Sequence, residues 1–237
     1  MFTQSAEFYD LIYSGLKNYE AEAEAITALI KRTVPHARRI LDVACGTGEH
    51  ARILSEKYGF RVVGIDIDPH FVNIARKKAS FLRFEVADMV AFALEEQYDV
   101  VMCLFSSIGY VRTLDRVKKA LSCFRRHVRG EGLIIVEPWI TPDAWENGKV
   151  FMHTAEDEKR KVCRMSYSSA KKRISTVQFE YLIGSSAGLE HRSETHELGL
   201  FSVQELHNCF LAVGLEVRYE SEGFMGRGLY LARPADS

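Results

Sequence analysis

The chain has 237 residues, enough for one large α/β domain with a substantial core or for such a domain plus an elaboration, and the second is expected. Thirty-one basic against 32 acidic side chains leave a net charge of -1, which excludes a global field for nucleic acid; the scattered basic clusters at 76–78, 125–129, 159–161 and 171–173 read as solvated helix faces and turns. Five dispersed cysteines without a CxxC pair or metal-ligand spacing, a polar and acidic start from Met1 to Asp10, and no apolar run near eighteen residues give the expectation of a cytoplasmic protein with no metal and no membrane partner.

After a short N-terminal stretch carrying Tyr9, Asp10 and Tyr13, residues 18–34 are predicted to be a helix with Ala25, Leu29 and Ile30 inward, and Pro35 lies just past its end. Strand and helix patterns then alternate. Strands are predicted near 38–45, 61–67, 82–88, 98–105 and 132–138, with helices near 49–58, 69–79 and 114–128. Asp68 before Pro69 reads as a helix N-cap. The runs Val100–Phe105 and Leu133–Val136 are continuously apolar, as in strands buried on both faces. From Thr141 to about Gly199 the rhythm breaks into strand-like stretches at 161–169, 174–183 and 190–200, an antiparallel insertion. Ser202 with Glu205 forms a capping box at the start of a helix, and two strands follow at 215–220 and 229–233. The fold class is therefore α/β, a Rossmann-like, seven-stranded, mostly parallel sheet. Residues 1–140 and 200–237 form the core, and 141–199 the insertion bordering a substrate pocket.

The chemistry is concentrated in Ile40–Glu49, where an apolar strand runs into a glycine turn that opens a helix. Gly46 and Gly48 let the backbone turn sharply and aim helix N–H groups at a ligand. Gly46-x-Gly48-x-x-Ala51 also satisfies the dinucleotide fingerprint, so the glycines alone leave a pyrophosphate open. The carboxylates weigh against it: Asp42, then Asp66 and Asp68, then Asp88 fall at three successive strand ends, and no Lys or Arg lies between Leu41 and Ala51. A pyrophosphate gains little there. S-adenosylmethionine, with its positive sulfonium and ammonium and its hydrogen-bond-donating ribose and adenine, fits better. Asp42 also has an ordinary alternative as a buried acid that fixes the loop.

Residues 41–48 (LDVACGTG), 62–68 (VVGIDID), 86–89 (VADM) and 98–110 (YDVVMCLFSSIGY) resemble the class I S-adenosylmethionine-dependent methyltransferases in order and spacing. Glu7–Asp10, Lys17–Tyr19, Cys103–Tyr110, Val136–Trp139 and Gly226–Tyr230 are similar to the N-methyltransferases of TDP-linked aminosugars of the desosamine and mycaminose type. The resemblance implies S-adenosyl-L-methionine as cofactor. It implies that Tyr19 reaches the methionine carboxylate, that Ala44 and Gly46 line the methionine through backbone atoms, and that Asp66, with Ile67 beside it, holds the ribose. Asp88 and the Met89 N–H would read the adenine, the Leu104 carbonyl would lie near the cofactor ammonium, and Tyr9 would cover the site. Tyr9 and Tyr19 have the alternative of packing between helix and sheet.

On the acceptor side, the resemblance points to a TDP-linked aminosugar. A histidine follows Ser-Ser-Ile-Gly in that family, and here Tyr110 stands in its place, so Tyr110 is assigned to positioning the amine because a phenol with a pKa of about 10 is a poor base. Arg227 between two glycines is the candidate grip on the diphosphate, and Trp139 the surface for a sugar or base ring. Arg164, Tyr167 and His196 complete the nucleotide pocket in this reading. Each has a bland counterpart: Tyr110 and Trp139 as core residues, Arg227 in a solvated turn, His196 as structural. A free amine or amino acid as acceptor, and a non-catalytic nucleotide-binding protein, stay open, as does a homodimer. Nucleic acid is not expected, since no Asp/Asn-Pro-Pro-aromatic motif follows the fourth strand and no Pro-Cys nucleophile occurs.

Overall fold

The computed structural model describes residues 4–224 and 226–235. Seven strands form the main sheet: β1 (Arg39–Val43), β2 (Arg61–Asp66), β3 (Arg83–Val86), β4 (Tyr98–Cys103), β5 (Val128–Val136), β10 (Leu215–Glu220) and β11 (Leu229–Pro234). Their spatial order is β10-β11-β5-β4-β1-β2-β3, parallel except that β11 runs antiparallel to both β5 and β10. The order reverses between β1 and β4, which leaves a crevice outside the carboxyl ends of these strands.

Both faces of the sheet are covered. Helices α2 (Tyr19–Thr33), α3 (Glu49–Glu56) and α4 (Pro69–Lys78) bury Ile26, Leu54 and Val72 on one side, and α5 (Leu114–His127) and α6 (Val203–Ala212) bury Leu121 and Phe210 on the other. All residues of β4 are buried, which explains the continuous apolar run that begins at Val100. Asp68 caps α4 by accepting the His70 N–H at 2.8 Å, and the Ser202–Glu205 capping box forms as the sequence predicts. Ala25, expected inward on α2, is exposed; the buried stripe runs through Ala23, Ile26, Thr27, Leu29 and Ile30. Ala25 lies about 100° from Ile26 around the helix, enough to turn it out.

A second, antiparallel sheet is formed by β6 (Val150–Glu156), β7 (Arg160–Lys171), β8 (Ile174–Ser185) and β9 (Gly188–Gly199), in that order. The strand at Val150–Glu156 is not marked in the sequence because all seven residues are exposed or only half-covered, with no clean apolar alternation. Strand β5 also starts earlier than expected, at Val128, ahead of Gly130 and Gly132. The short α1 (Tyr9–Ser14) lies between this second sheet and α4, packing Tyr9 and Ile12 in one cluster with Phe71, Val162 and Tyr181. That contact sets the second sheet over the crevice of the first. No helix among the described residues is long and apolar enough to cross a membrane.

Candidate active site

The glycine turn after β1 is built from residues held where most side chains do not go. Ala44, Gly46 and Gly48 all have positive φ, at 60°, 56° and 75°. A side chain on Gly48 would place its Cβ 2.9 Å from both the Ala75 Cβ and the Phe84 ring, so only glycine permits this approach of loop to α4 and β3. Asp66 ties the turn to β2: its Oδ2 accepts the Gly46 N–H at 2.8 Å and its Oδ1 the Asp68 N–H at 2.9 Å. Each oxygen keeps a second lone pair for a ligand hydroxyl.

Asp42, Asp66 and Asp88 line one cleft with Tyr9, Tyr19, Ala44, Gly46, Ile67, Met89 and Leu104. The cleft has a volume of about 1060 Å³, at the upper end of the range for small-molecule sites. Asp42 is 3 % exposed, and its Oδ2 has no hydrogen-bond partner. Burial, reinforced by the nearby Asp66 charge, pushes the Asp42 pKa up to about 8. A buried carboxyl with one oxygen unpartnered, its charge disfavoured by burial and by the Asp66 charge, suits a cationic ligand. Ile67 leaves 46 % of its surface free at the cleft, an apolar face against which a flat base can lie. Asp88 is half-buried, accepts the Val90 N–H at 3.1 Å and has Arg116 3.4 Å away. The donor set thus fits S-adenosylmethionine.

The turn after β4 is also strained, because Phe105 and Ser106 adopt consecutive positive φ values of 52° and 62°. It is braced from the end of β5. The Phe105 N–H donates to Glu137 Oε2 at 2.6 Å, the Ser106 hydroxyl donates to the Pro138 carbonyl at 2.7 Å, and Arg227 donates to Ser106 Oγ at 3.0 Å. Arg227 also lies over the Phe105 and Trp139 rings, at 5.7 and 5.3 Å. Trp139 in turn donates from Nε1 to Ser175 Oγ on β8 at 2.9 Å. Arg227, Trp139, Arg164, His196 and Tyr110 all reach the cleft.

Tyr167 does not. On β7, Arg164, Ser166 and Ser168 line the cleft while Tyr167, one residue out of step, is 49 % exposed on the other face. The two-residue period of a strand makes Arg164 and Tyr167 opposite by construction, so the pair was incompatible from the start.

Several cleft residues went unassigned in the sequence. Lys17 is buried with its Nζ 2.9 Å from Glu22 Oε2, 3.8 Å from the centre of the Phe105 ring and 4.8 Å from that of Tyr19. Burial pushes its pKa down and Glu22 pulls it back up. Tyr13 packs on Tyr9 at 4.3 Å and meets Phe105 edge-on at 5.4 Å. Behind the cleft lining, Glu137, just past a strand whose last five residues are all buried, carries a signal of its own: an acid there needs a reason. Among the described residues no group of three or more His, Cys, Asp or Glu side chains is placed to hold a metal.

A doubly wound sheet with acids at the ends of β1, β2 and β3 around a glycine turn defines a class I S-adenosylmethionine-dependent methyltransferase. Residues 40–132 match the methyltransferase domain family. The chain is 36% identical over 231 residues to the dTDP-3-amino-3,6-dideoxy-alpha-D-glucopyranose N,N-dimethyltransferase of Streptomyces fradiae, covering 97% of this chain and 90% of that one. It superimposes on DesVI of Streptomyces venezuelae with a TM-score of 0.92 at 33% identity, over 97% and 98% of the two chains. The S-adenosylmethionine-bound CalS10 from Micromonospora echinaspora, an amino pentose methyltransferase, matches with a TM-score of 0.85 at 30% identity over 94% and 95%. The chain belongs to the family of sugar N-methyltransferases that these proteins represent.

Proposed function

We propose that the enzyme methylates the amine of a TDP-linked aminosugar, most simply a 3-amino-3,6-dideoxyglucose, and does so twice. The observation that carries this reading is that the similarity to the Streptomyces fradiae N,N-dimethyltransferase runs through the second sheet and the Arg227 loop as well as the cofactor motif. The cleft also has room for a nucleotide sugar beside the cofactor.

When bound in the cleft, S-adenosylmethionine would supply a methyl group on a positive sulfur, the electrophile for an uncharged amine. Asp42 and the Leu104 carbonyl would hold its positive end, Tyr19 and Lys17 its carboxylate, Asp66 its ribose, and Asp88 with Met89 its adenine. Tyr9 and Tyr13 cap the chamber against water. On the acceptor side Arg227 takes the diphosphate with its fork of donors, and Trp139 offers its ring. Tyr110 orients the amine. Alignment of this kind supplies effective molarities of about 10⁵ M or more, a large part of the acceleration without covalent catalysis. Arg164 lies over the Tyr13 and Phe179 rings, at 5.3 and 4.8 Å, and faces the nucleotide in this reading. The five unbridged cysteines support a reducing, cytoplasmic setting.

The direct test incubates purified enzyme with methyl-labelled S-adenosylmethionine and either TDP-linked 3-amino-3,6-dideoxyglucose or free amino acids. Label on the nucleotide sugar, as mono- then dimethyl product, is expected. Transfer to free amino acids alone would overturn the reading.

A further inference from the structure

Tyr110 sits on the 3-10 turn Ser107–Val111, and its hydroxyl is 2.7 Å from His196 Nδ1 on β9. The two residues are 86 positions apart in sequence and meet because the turn packs closely on β9: a Cβ on Gly109 would lie 3.1 Å from both Leu198 and the Trp139 Cβ. On the far side of the imidazole, His196 Nε2 is 3.4 Å from Glu194 Oε1. That same oxygen accepts the Tyr181 hydroxyl at 2.6 Å and the Ser5 hydroxyl at 2.7 Å. With two hydroxyls donating to one of its oxygens, Glu194 is the ionised end of the chain. It favours the His196 tautomer with the proton on Nε2, which leaves the Nδ1 lone pair for Tyr110.

We infer that Glu194, His196 and Tyr110 form a proton relay that takes a proton from the acceptor nitrogen, with Tyr110 as the contact and the other two as positioning residues. The inference rests on the proposed amine acceptor. The ammonium N–H bond breaks as its proton passes to the Tyr110 oxygen; the phenolic O–H bond breaks as that proton passes to His196 Nδ1. The phenol is regenerated in the same motion, the nitrogen keeps its electron pair, and the imidazolium faces the Glu194 carboxylate. When product leaves, the proton returns along the same path to water. Such a path is needed twice in a dimethylation, because the first transfer leaves a charged secondary ammonium that cannot attack again until it has lost a proton.

The surroundings suit the role. His196 is 1 % exposed, so bulk water does not reach it directly. Burial lowers the His196 pKa, with the Arg164 charge on β7 acting in the same sense and Glu194 opposing both. The ring therefore rests neutral at neutral pH. Burial pushes the Tyr110 pKa up well above 10, and Tyr13, Glu194 and Asp66 add to it, so the phenol passes a proton on and never rests as phenolate. Burial raises the Glu194 carboxyl, but His196, Tyr181 and Ser5 outweigh it and hold the group below its usual range. Phe179 on β8 closes the ring edge-on at 5.2 Å.

The test compares pH profiles from 6 to 10 for the native enzyme, His196→Gln and Tyr110→Phe, on the TDP-linked aminosugar with cofactor affinity measured alongside. The native enzyme should retain most of its kcat at pH 7. Each variant should lose about tenfold or more at pH 7, recover toward native near pH 9.5 where the free amine arrives uncharged, accumulate monomethyl product at neutral pH, and keep its cofactor affinity. The double variant should be no worse than either single one, as for groups acting in series. Profiles parallel to the native curve would overturn the relay, as would additive losses. Tyr110→Phe keeps the buried His196 and so tests the relay even where His196→Gln fails to fold. Nitrogen-15 spectra of His196 in the enzyme without substrate give an independent reading: a proton on Nε2 is expected, and one on Nδ1 would overturn the relay. A native enzyme inactive on every aminosugar but showing the Nε2 tautomer would place the failure in the proposed acceptor.

Discussion

The cofactor side of the cleft takes its carboxylates from the ends of three neighbouring strands within residues 42–88, whereas the acceptor side gathers Tyr110, Trp139, Arg164, His196 and Arg227 from segments spread over residues 110–227. On the first side the backbone does much of the work: Ala44, Gly46 and Gly48 hold positive φ, and Asp66 accepts two of the loop's own N–H groups. On the second side, side chains hold one another, through Arg227 to Ser106, Trp139 to Ser175 and Tyr110 to His196. A site made of backbone tolerates no change of shape, and one made of paired side chains loses its parts singly.

The largest effect should follow from breaking the backbone side. Gly48→Ala puts a Cβ into the Phe84 ring and the Ala75 methyl at a φ of 75°. The strain of the left-handed conformation adds to the overpacking, for about 2–4 kcal/mol in all. Thermal unfolding should show a drop in Tm of several degrees, and calorimetry with S-adenosylhomocysteine at least a tenfold loss of affinity. A variant with native values for both would show the loop to be adaptable and the contrast between the two sides to be wrong.

Breaking the side-chain side should instead separate the two ligands. Arg227→Ala removes the fork for the diphosphate but leaves Asp42, Asp66 and Asp88 in place. The KM for the nucleotide sugar should rise about tenfold or more, equivalent to about 1.4 kcal/mol or above, while cofactor affinity moves by less than about twofold. Equal losses for both ligands would mean that the Ser106 contact shapes the cofactor pocket too.

What the sequence made legible follows the same division. Asp42, Gly46, Asp66 and Asp88 lie at strand ends that periodicity and glycine spacing locate within a residue or two, and the family resemblance adds Ala44, Ile67, Met89 and Leu104, so their meeting in one cleft could be anticipated. The second sheet resisted: β6 exposes Val150, Phe151 and Met152, and in β7 the face of each residue depends on a register fixed by strands not yet placed. Arg164 and Tyr167 were assigned together although three positions apart on a strand they must diverge. The pairing of Tyr110 with His196 spans the two parts of the fold, and nothing local in either segment announces it.

Asp42 offers a smaller effect whose sign is fixed in advance. Its pKa in the folded protein, about 8 against an ordinary 3.8, means that the folded chain holds a proton that the unfolded chain has released. The stability associated with the protonated group is complete below about pH 4 and is lost as pH rises to about 8, at no more than about 1.4 kcal/mol per unit. Asp42→Asn should flatten this part of the curve in the cofactor-free enzyme. A positive cofactor favours the ionised form, so binding near pH 7 should release a proton from the native enzyme and not from the variant. Calorimetry in two buffers of different ionisation enthalpy reads that proton directly, and equal release by both proteins would detach Asp42 from the cofactor.

The smallest effect belongs to Tyr167, and it sharpens the comparison by contrast with its neighbours. Ser166 and Ser168 flank it on the cleft face of β7, and the Ser168 hydroxyl donates to the Glu146 carbonyl at 3.0 Å while accepting the Lys149 N–H at 3.1 Å. Tyr167 points the other way beside Val150, its partner in register on β6. Tyr167→Ala should leave kcat and both Michaelis constants within about twofold and lower stability by about 1 kcal/mol or less, from lost cross-strand packing. Ser168→Val, a change of similar scale on the opposite face, should disturb the 146–149 segment at the cleft and raise the acceptor KM. If Tyr167→Ala raised that KM instead, the register of β7 would be shifted by one residue, and every assignment on the second sheet, His196 included, would have to move with it.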